Sequence, residues 1–159
     1  MYHLATHAAD RRRLVADPSL IPQALDEFLR LYLGVVNMAR RVKQEIEVGG
    51  VKMHEGDRVL LSYGAACCDP SLYKEPNKVD IDRRATAHLA FGAGVHRCSG
   101  ESLARVVLRF GYEEFLKRIP EFGVAADFTP QYETGSTRHM VRLPLQFAVA
   151  PADQAGCAR

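Results

Sequence analysis

The sequence predicts an α+β domain that is mainly α with small β sheets, and three observations support this class. Apolar residues recur at steps of three and four over 102–119 and over 22–33, which is the spacing of one face of a helix. Between these segments, residues 35–61 follow a period of two, and Gly49-Gly50 interrupts the alternation as a tight hairpin turn does. The 159 residues, 47% of them hydrophobic and 25% charged, are enough for one core. We therefore expect residues 1–159 to form a single domain or part of one.

The first sixteen residues have a helical apolar pattern with a possible break at Thr6-His7. A domain seldom begins inside an apolar helical pattern at its first residue. We therefore expect the segment 1–20 to be a helix that packs on a missing upstream part. The arginines at 11–13 are typical of a solvated face. The next helix is predicted to start near Pro22 and to end at Gly34.

The second half of the chain alternates irregular segments with one strong helix. Residues 62–84 contain few periodic apolar positions, so a short helix followed by an irregular wrap is expected there. The helix over 102–119 should end before Pro120, and Gly111 within it predicts close packing against a neighbour. Residues 122–149 are predicted to be β structure with a turn at Gly135-Ser136, and 151–159 to be a flexible tail.

Composition and charge exclude several classes of function. A net charge of +2 and the lack of alternating basic and aromatic residues argue against nucleic acid. No apolar run reaches the roughly 18 residues of a membrane-spanning helix, and no apolar signal sequence precedes residue 11, so a cytoplasmic protein is expected. The four cysteines form no spaced framework, and the adjacent Cys67 and Cys68 could bridge only with severe strain. They are predicted to be free thiols.

Residues 90–100, called the cysteine loop below, carry the main candidate site. The loop holds glycines at 92, 94 and 100 beside His96, Arg97 and Cys98, and it leads directly into the predicted helix. Backbone N–H groups at a helix N-terminus favour the thiolate form of a cysteine, which is the form that binds metal. A thiolate with nearby cations matches what a haem iron and its two propionates require.

Other interpretations of the loop depend on spacings that are absent. A dinucleotide-binding fingerprint would need glycine in place of Arg97, and a cysteine phosphatase loop would need its arginine one position before Arg105. A zinc site would need further paired ligands near Cys98. A haem-free enzyme that uses a thiol remains open.

The loop resembles the haem-binding loop of the cytochrome P-450 family, bacterial soluble type. The family pattern of Phe, spaced Gly, a basic residue, Cys and Gly is met by Phe91, Gly92, Gly94, His96, Cys98 and Gly100. Upstream, Glu27-Phe28-Leu29-Arg30 is similar to the family's Glu-x-x-Arg. The resemblance implies the C-terminal portion of the cytochrome P-450 fold, with haem (protoporphyrin IX iron) as cofactor.

The resemblance also implies roles for individual residues. Cys98 would be the iron ligand and the catalytic thiolate, and Ala104 would line the cofactor site with the loop. His96 would bind the propionates together with Arg40 or Arg41, of which the count back from Gly49-Gly50 favours Arg40. Glu27 and Arg30 would be structural, with Lys78 as a third arm where the family has the arginine of Pro-x-Arg-Phe.

The implied function is a haem-thiolate monooxygenase that hydroxylates a hydrophobic small molecule with O₂. Its electrons would come from a ferredoxin or a flavin-type donor. The alternative is a truncated, catalytically incomplete haem-binding fragment. No Gly-x-[Asp/Glu]-Thr segment precedes Glu27, so the helix on the oxygen side of the haem is expected to be missing.

Overall fold

The computed structural model describes residues 1–84, 87–135 and 137–148. In this part of the chain the α-helices are α1 Tyr2–Thr6, α2 Ala8–Ala16, α3 Ile21–Leu31, α4 Tyr63–Ala66 and α5 Glu101–Arg118. The strands are β1 Asn37–Arg41, β2 Ile46–Val48, β3 Val51–Met53, β4 Arg58–Ser62, β5 Tyr132–Thr134 and β6 Arg138–Met140. Single 3-10 turns lie at Pro18–Leu20 and Gly94–His96. The predicted class, mainly α with small sheets, is confirmed. No helix among these residues is long and apolar enough to cross a membrane.

The core lies where α1, α2, α3 and α5 meet. Leu4 of α1 and Leu14 of α2 are fully buried and share one cluster with Phe28 of α3 and Leu116 of α5. The apolar positions of 1–20 are therefore used inside this chain, in two helices that are separated at His7 as the sequence predicts. A contact between 1–20 and an upstream part stays a prediction.

The arginines of α2 do not all face solvent. Arg11 is buried, donates to the carbonyl of Leu4 at 2.9 Å and pairs with Glu121 at 2.5 Å. Arg13 pairs with Asp82 at 2.6 Å. The predicted solvated face is therefore wrong for Arg11, because its side chain reaches across to the segment after α5.

Two small sheets follow α3. β1 pairs with β4 in antiparallel register, from Asn37 opposite Ser62 to Arg41 opposite Arg58. β2 and β3 form a hairpin through Gly49 and Gly50, whose φ angles are 57° and 77°. Two successive positive φ angles are those of a type I′ turn, which explains the glycine pair.

The last sheet is shorter than predicted. β5 and β6 pair from Tyr132 opposite Met140 to Thr134 opposite Arg138. Outside them only an isolated bridge between Gly123 and Gln146 occurs in the described part of 122–149. Ser136 of the predicted turn and the tail at 151–159 lie outside the described residues.

Helix α5 has one face packed in the core and one face exposed. Leu103, Val107 and Phe110 have exposed fractions of 68%, 61% and 60%. A Cβ at Gly111 would have no atom within 4 Å among the described residues. The close neighbour predicted for Gly111 is therefore not found in this part of the chain, since the glycine lies beside the exposed stripe.

Candidate functional site

The cysteine loop leads into α5 through a 3-10 turn and two left-handed glycines. Gly92 and Gly94 have φ angles of 71° and 63°, a region that residues with a Cβ rarely adopt. The N–H of Cys98 donates to the carbonyl of Phe91 at 2.9 Å, which closes the loop. Cys98 is exposed, and its carbonyl accepts the N–H of Glu101, the first residue of α5, at 3.3 Å. The chain therefore presents a thiol at the start of a long helix.

A glycine also clears the space beside the sulfur. A Cβ at Gly100 would lie 3.7 Å from Sγ of Cys98. At Gly92, a Cβ would lie 3.6 Å from the carbonyl oxygen of His96 and 3.8 Å from the hydroxyl of Tyr63. These are ordinary van der Waals distances, so the positive φ of Gly92 is what requires a glycine there, while Gly100 leaves the exposed thiol without a neighbouring side chain on that side.

The acidic residue in the first turn of α5 is neutralised by arginines on either side. Glu101 accepts two hydrogen bonds from Arg97, at 2.5 and 2.9 Å, and one from Arg105 at 3.1 Å. The hydrogen bonds from Arg97, helped by Arg105, lower the pKa of Glu101 to about 2. The carboxylate of Glu101 is therefore ionised and paired with arginines at neutral pH.

Arg105 also joins α5 to α3. Its guanidinium pairs with Asp26 of α3 and lies over the ring of Phe91, 5.5 Å from the ring centre. His88, just upstream of the loop, approaches the same carboxylate at 3.4 Å. Asp26 therefore connects the helix before the sheets to both ends of the cysteine loop region.

The neighbouring residue on α3, Glu27, is the centre of a buried charge network. Glu27 and Arg30 are 3% and 1% exposed, and their side chains form two hydrogen bonds of 2.8 Å. Glu27 also accepts the N–H of Asp80 at 3.0 Å and Nε of Arg83 at 3.1 Å. Burial opposes ionisation, but the hydrogen bonds from Arg30, Asp80 and Arg83 together lower the pKa of Glu27.

Arg30 extends this network into the irregular segment 67–84 after the sheets, called the irregular wrap below. Its Nη1 donates to the carbonyls of Cys67 and Pro76 at 2.6 and 2.8 Å, and Nη2 donates to the carbonyl of Lys78 at 3.3 Å. The guanidinium lies over the ring of Tyr73 at 4.8 Å. These contacts tie the wrap, which has little regular structure of its own, to α3.

Lys78 is not the third charged arm of this network. Its ammonium is exposed and pairs with Glu75, so only its backbone carbonyl takes part. Arg83 takes the place that the sequence analysis assigns to Lys78, with a side chain only 11% exposed. The planar guanidinium of Arg83 donates through Nε to Glu27 and through Nη1 to the carbonyl of Lys74 at 3.0 Å, so one side chain joins both residues.

In the described part of the chain, the predicted cofactor cations Arg40 and His96 form no ion pair with a carboxylate. Arg40 lies on β1 opposite Val59 and donates to the carbonyl of Ala39 at 2.9 Å. His96 ends the 3-10 turn of the loop and is exposed. Ala104 lies in the first turn of α5, where its N–H donates to the carbonyl of Gly100 at 2.9 Å. Within the described residues no hydrogen bond or ion pair joins Arg40 to the cysteine loop.

Sequence reasoning missed Arg83, Asp26, Arg105 and Cys67. The pairs of Glu101 with Arg97 and Arg105 have a spacing of four residues, which is a detectable signal for pairing on a helix. The bond of Arg83 to Glu27 spans 56 positions of the chain, and no local pattern indicates it.

This fold and site define a class: α+β proteins that present a cysteine at a helix N-terminus and contain a buried Glu–Arg network upstream of it. The sequence profile of the family Cytochrome P450 matches residues 9–123. The Mycobacterium tuberculosis protein named steroid C26-monooxygenase is 34% identical over 140 residues, covering 87% of this chain and 38% of that protein. The Micromonospora griseorubida mycinamicin IV hydroxylase/epoxidase is 36% identical over 151 residues, covering 94% of this chain and 38% of that protein.

Solved structures agree with the sequence comparison. The crystal structure of CYP109E1 from Bacillus megaterium in complex with testosterone superposes with a TM-score of 0.88 at 28% identity, covering 93% of this chain and 41% of that one. The present chain belongs to the cytochrome P450 family. It spans well under half the length of the relatives that it matches.

Proposed function

We propose that this chain forms the thiolate side of the haem site of a cytochrome P450 monooxygenase, with Cys98 as the axial iron ligand. The observation that carries this proposal is the placement of Cys98. Its thiol is exposed at the end of a loop with two left-handed glycines, and α5 begins three positions later at Glu101. The thiolate is the form of cysteine that binds a metal.

The residues around Cys98 fit a haem. Because Gly100 has no Cβ, the sulfur is unobstructed on that side, as close approach of a flat macrocycle requires. Because Glu101 is paired with Arg97 and Arg105, it is not a free anion that would compete with the propionates. When bound, the haem iron supplies the oxygen-activating redox chemistry, and a cysteine ligand donates electron density that favours O–O cleavage.

Arg40 and His96 are proposed to bind the propionates. Among the described residues the guanidinium of Arg40 makes one hydrogen bond, to the carbonyl of Ala39, which leaves most of its donors for a carboxylate. His96 is exposed two positions before Cys98. Charge-assisted hydrogen bonds from these cations would orient the cofactor, with Phe91 and Ala104 as apolar contacts.

The network of Glu27, Arg30 and Arg83 is proposed to act on the site indirectly. Glu27 and Arg30 are buried, and the network would order the irregular segment between the sheets and the cysteine loop through its hydrogen bonds to that segment. Its role would be to set the position of the loop before any cofactor binds.

By membership of the family, the substrate would be a hydrophobic small molecule and the reaction an O₂-dependent hydroxylation. The electron donor would be a ferredoxin or a flavin-type protein, and the site of action the cytoplasm. The relatives named for steroid and mycinamicin chemistry support an apolar substrate class. No nucleic acid or membrane partner is proposed.

The second candidate is an incomplete haem-binding chain without turnover of its own. Two observations favour it: the chain spans 38% of the curated relatives, and Leu103, Val107 and Phe110 expose an apolar stripe along α5. A haem-free thiol enzyme at Cys98 is the third, less favoured candidate.

Haem titration followed by reduction under carbon monoxide tests the proposal. We expect a red-shifted Soret band, which indicates thiolate ligation, in the unaltered chain and in Cys68→Ser. We expect the band to be absent in Cys98→Ser. If Cys98→Ser retains the band, the ligand assignment is wrong; if no variant binds haem, the haem-free candidate gains support.

A further inference from the structure

A second cysteine, Cys67, lies between the buried charge network and the cysteine loop. It caps the end of α4 and is fully buried, whereas its neighbour Cys68 is partly exposed. Its own N–H donates to the carbonyl of Tyr63 at 2.9 Å, so its backbone is held by the helix. Its other two polar groups, the carbonyl oxygen and the sulfur, bind different partners.

The carbonyl of Cys67 accepts a hydrogen bond of 2.6 Å from Arg30. Its sulfur accepts the backbone N–H of Leu89 at 3.3 Å, a contact between residues 22 positions apart. One buried residue therefore connects the Glu27–Arg30 pair to the segment that starts the cysteine loop.

From Leu89 the path continues through the backbone. The carbonyl of Leu89 accepts the N–H of Gly92 at 2.9 Å, at the first left-handed glycine of the loop. The carbonyl of Phe91, directly before Gly92, accepts the N–H of Cys98 at 2.9 Å. Two backbone hydrogen bonds thus link the segment from Leu89 to the turn at Gly92 and to Cys98.

We propose that Cys67 is a positioning residue for Cys98: its sulfur anchors the N–H of Leu89 and so transmits the rigidity of the Glu27–Arg30 network to the cysteine loop. This inference rests on the proposed function only for the role of Cys98. The anchoring of Leu89 by Cys67 is a property of the chain with or without haem.

The chemistry of the thiol suits an anchor more than a reactive group. Burial raises the pKa of Cys67, so the sulfur is a neutral acceptor at ordinary pH. Without that acceptor the half-buried N–H of Leu89 would lose its hydrogen bond at the base of the loop.

The test uses the full chain without haem and measures amide hydrogen exchange at Leu89, with the amide of Phe28 in α3 as the reference for global opening. In Cys67→Ala we expect exchange at Leu89 to accelerate at least tenfold while exchange at Phe28 changes less than threefold. Cys67→Ser, whose hydroxyl can accept the same N–H, should recover most of the protection. Cys68→Ala is the matched control and should leave both amides unchanged.

If Cys67→Ala fails to fold, Cys67→Val takes its place, because valine fills the site and lacks an acceptor. Unchanged exchange at Leu89, or equal acceleration at Leu89 and Phe28, would overturn the anchor.

A second measurement on the haem-loaded chain tests the effect on Cys98. The fraction of the ferrous carbon monoxide complex with a red-shifted Soret band should fall at least twofold in Cys67→Ala and return in Cys67→Ser. If exchange at Leu89 changes and this fraction does not, the positioning role is overturned. If the unaltered chain shows no red-shifted band, the proposed function fails, while the exchange experiment still decides the anchor.

Discussion

Replacing Glu27 with alanine should lower the free energy of unfolding by about 3–5 kcal/mol, which is typical for breaking a buried, hydrogen-bonded ion pair. Glu27 accepts four hydrogen bonds of 2.8–3.1 Å, from Arg30, Asp80 and Arg83, and is 3% exposed. The change leaves Arg30, which is 1% exposed, without a counter-charge. Because a domain of this size has about 5–15 kcal/mol of stability in total, much of it would be lost.

Lys78→Ala and Arg83→Ala distinguish the network seen here from the one that the sequence motif implies. The side chain of Lys78 is 73% exposed and, within the described residues, pairs with Glu75 alone, so its replacement should change stability by no more than about 0.5 kcal/mol. Arg83→Ala removes a hydrogen bond to buried Glu27 and should cost more, about 1.5–3 kcal/mol. Urea denaturation followed by circular dichroism measures all three.

The pH dependence adds an independent check. Because the hydrogen bonds from its partners lower the pKa of Glu27 below its ordinary value of 4.5, the stabilisation is fully present above pH 4.5. It should decline as the pH falls through the folded-state pKa, so the gap in stability between the unaltered chain and Glu27→Ala should narrow in acid. A Glu27→Ala variant within 1 kcal/mol of the unaltered chain at pH 7, or a Lys78→Ala variant that costs as much as Arg83→Ala, would refute this reasoning.

Three further predictions follow from the site and its surroundings. The variants Arg40→Ala and His96→Ala should each release haem faster than the unaltered chain, with the same thiolate spectrum, since both side chains are proposed to bind the propionates. Haem transfer to apomyoglobin measures the release rates, and unchanged rates in both variants would reject propionate binding by these residues. Gly92→Ala should destabilise the chain by about 1–2 kcal/mol because φ of Gly92 is 71°. Gly111→Ala, at an open position within a helix, should stabilise the chain by about 1 kcal/mol. Thermal unfolding compares the two variants, and equal effects would contradict the argument from backbone strain at Gly92. The 159 residues alone should not hydroxylate an apolar substrate with a surrogate ferredoxin and reductase, because oxygen activation needs a water-restricted pocket; sustained, coupled product formation would disprove this.

Local chemistry made several features predictable from the sequence. The hairpin at Gly49-Gly50 needs positive φ at two successive residues, and the helix after the cysteine loop follows from its apolar period. The pairing of Glu27 with Arg30 is likewise a local spacing on one helix. The residue types alone do not show whether this pair is buried. Burial decides its importance, because the same pair on a surface would contribute only a few tenths of a kcal/mol.

The tertiary structure decided which distant residues complete these local features. It selected Arg83 over Lys78 for Glu27, gave Cys67 a place between Arg30 and Leu89, and left Gly111 open. These outcomes depend on how the irregular wrap folds back over 22 to 56 positions of chain, and this wrap has no periodic signal that would set its register. The spacing of residues close together in the sequence determines helices, strands and turns, because the backbone conformation of a short segment fixes how its side chains are placed relative to one another. Long-range contacts depend on the balance of burial and hydrogen bonding over the whole chain, which only the folded structure resolves.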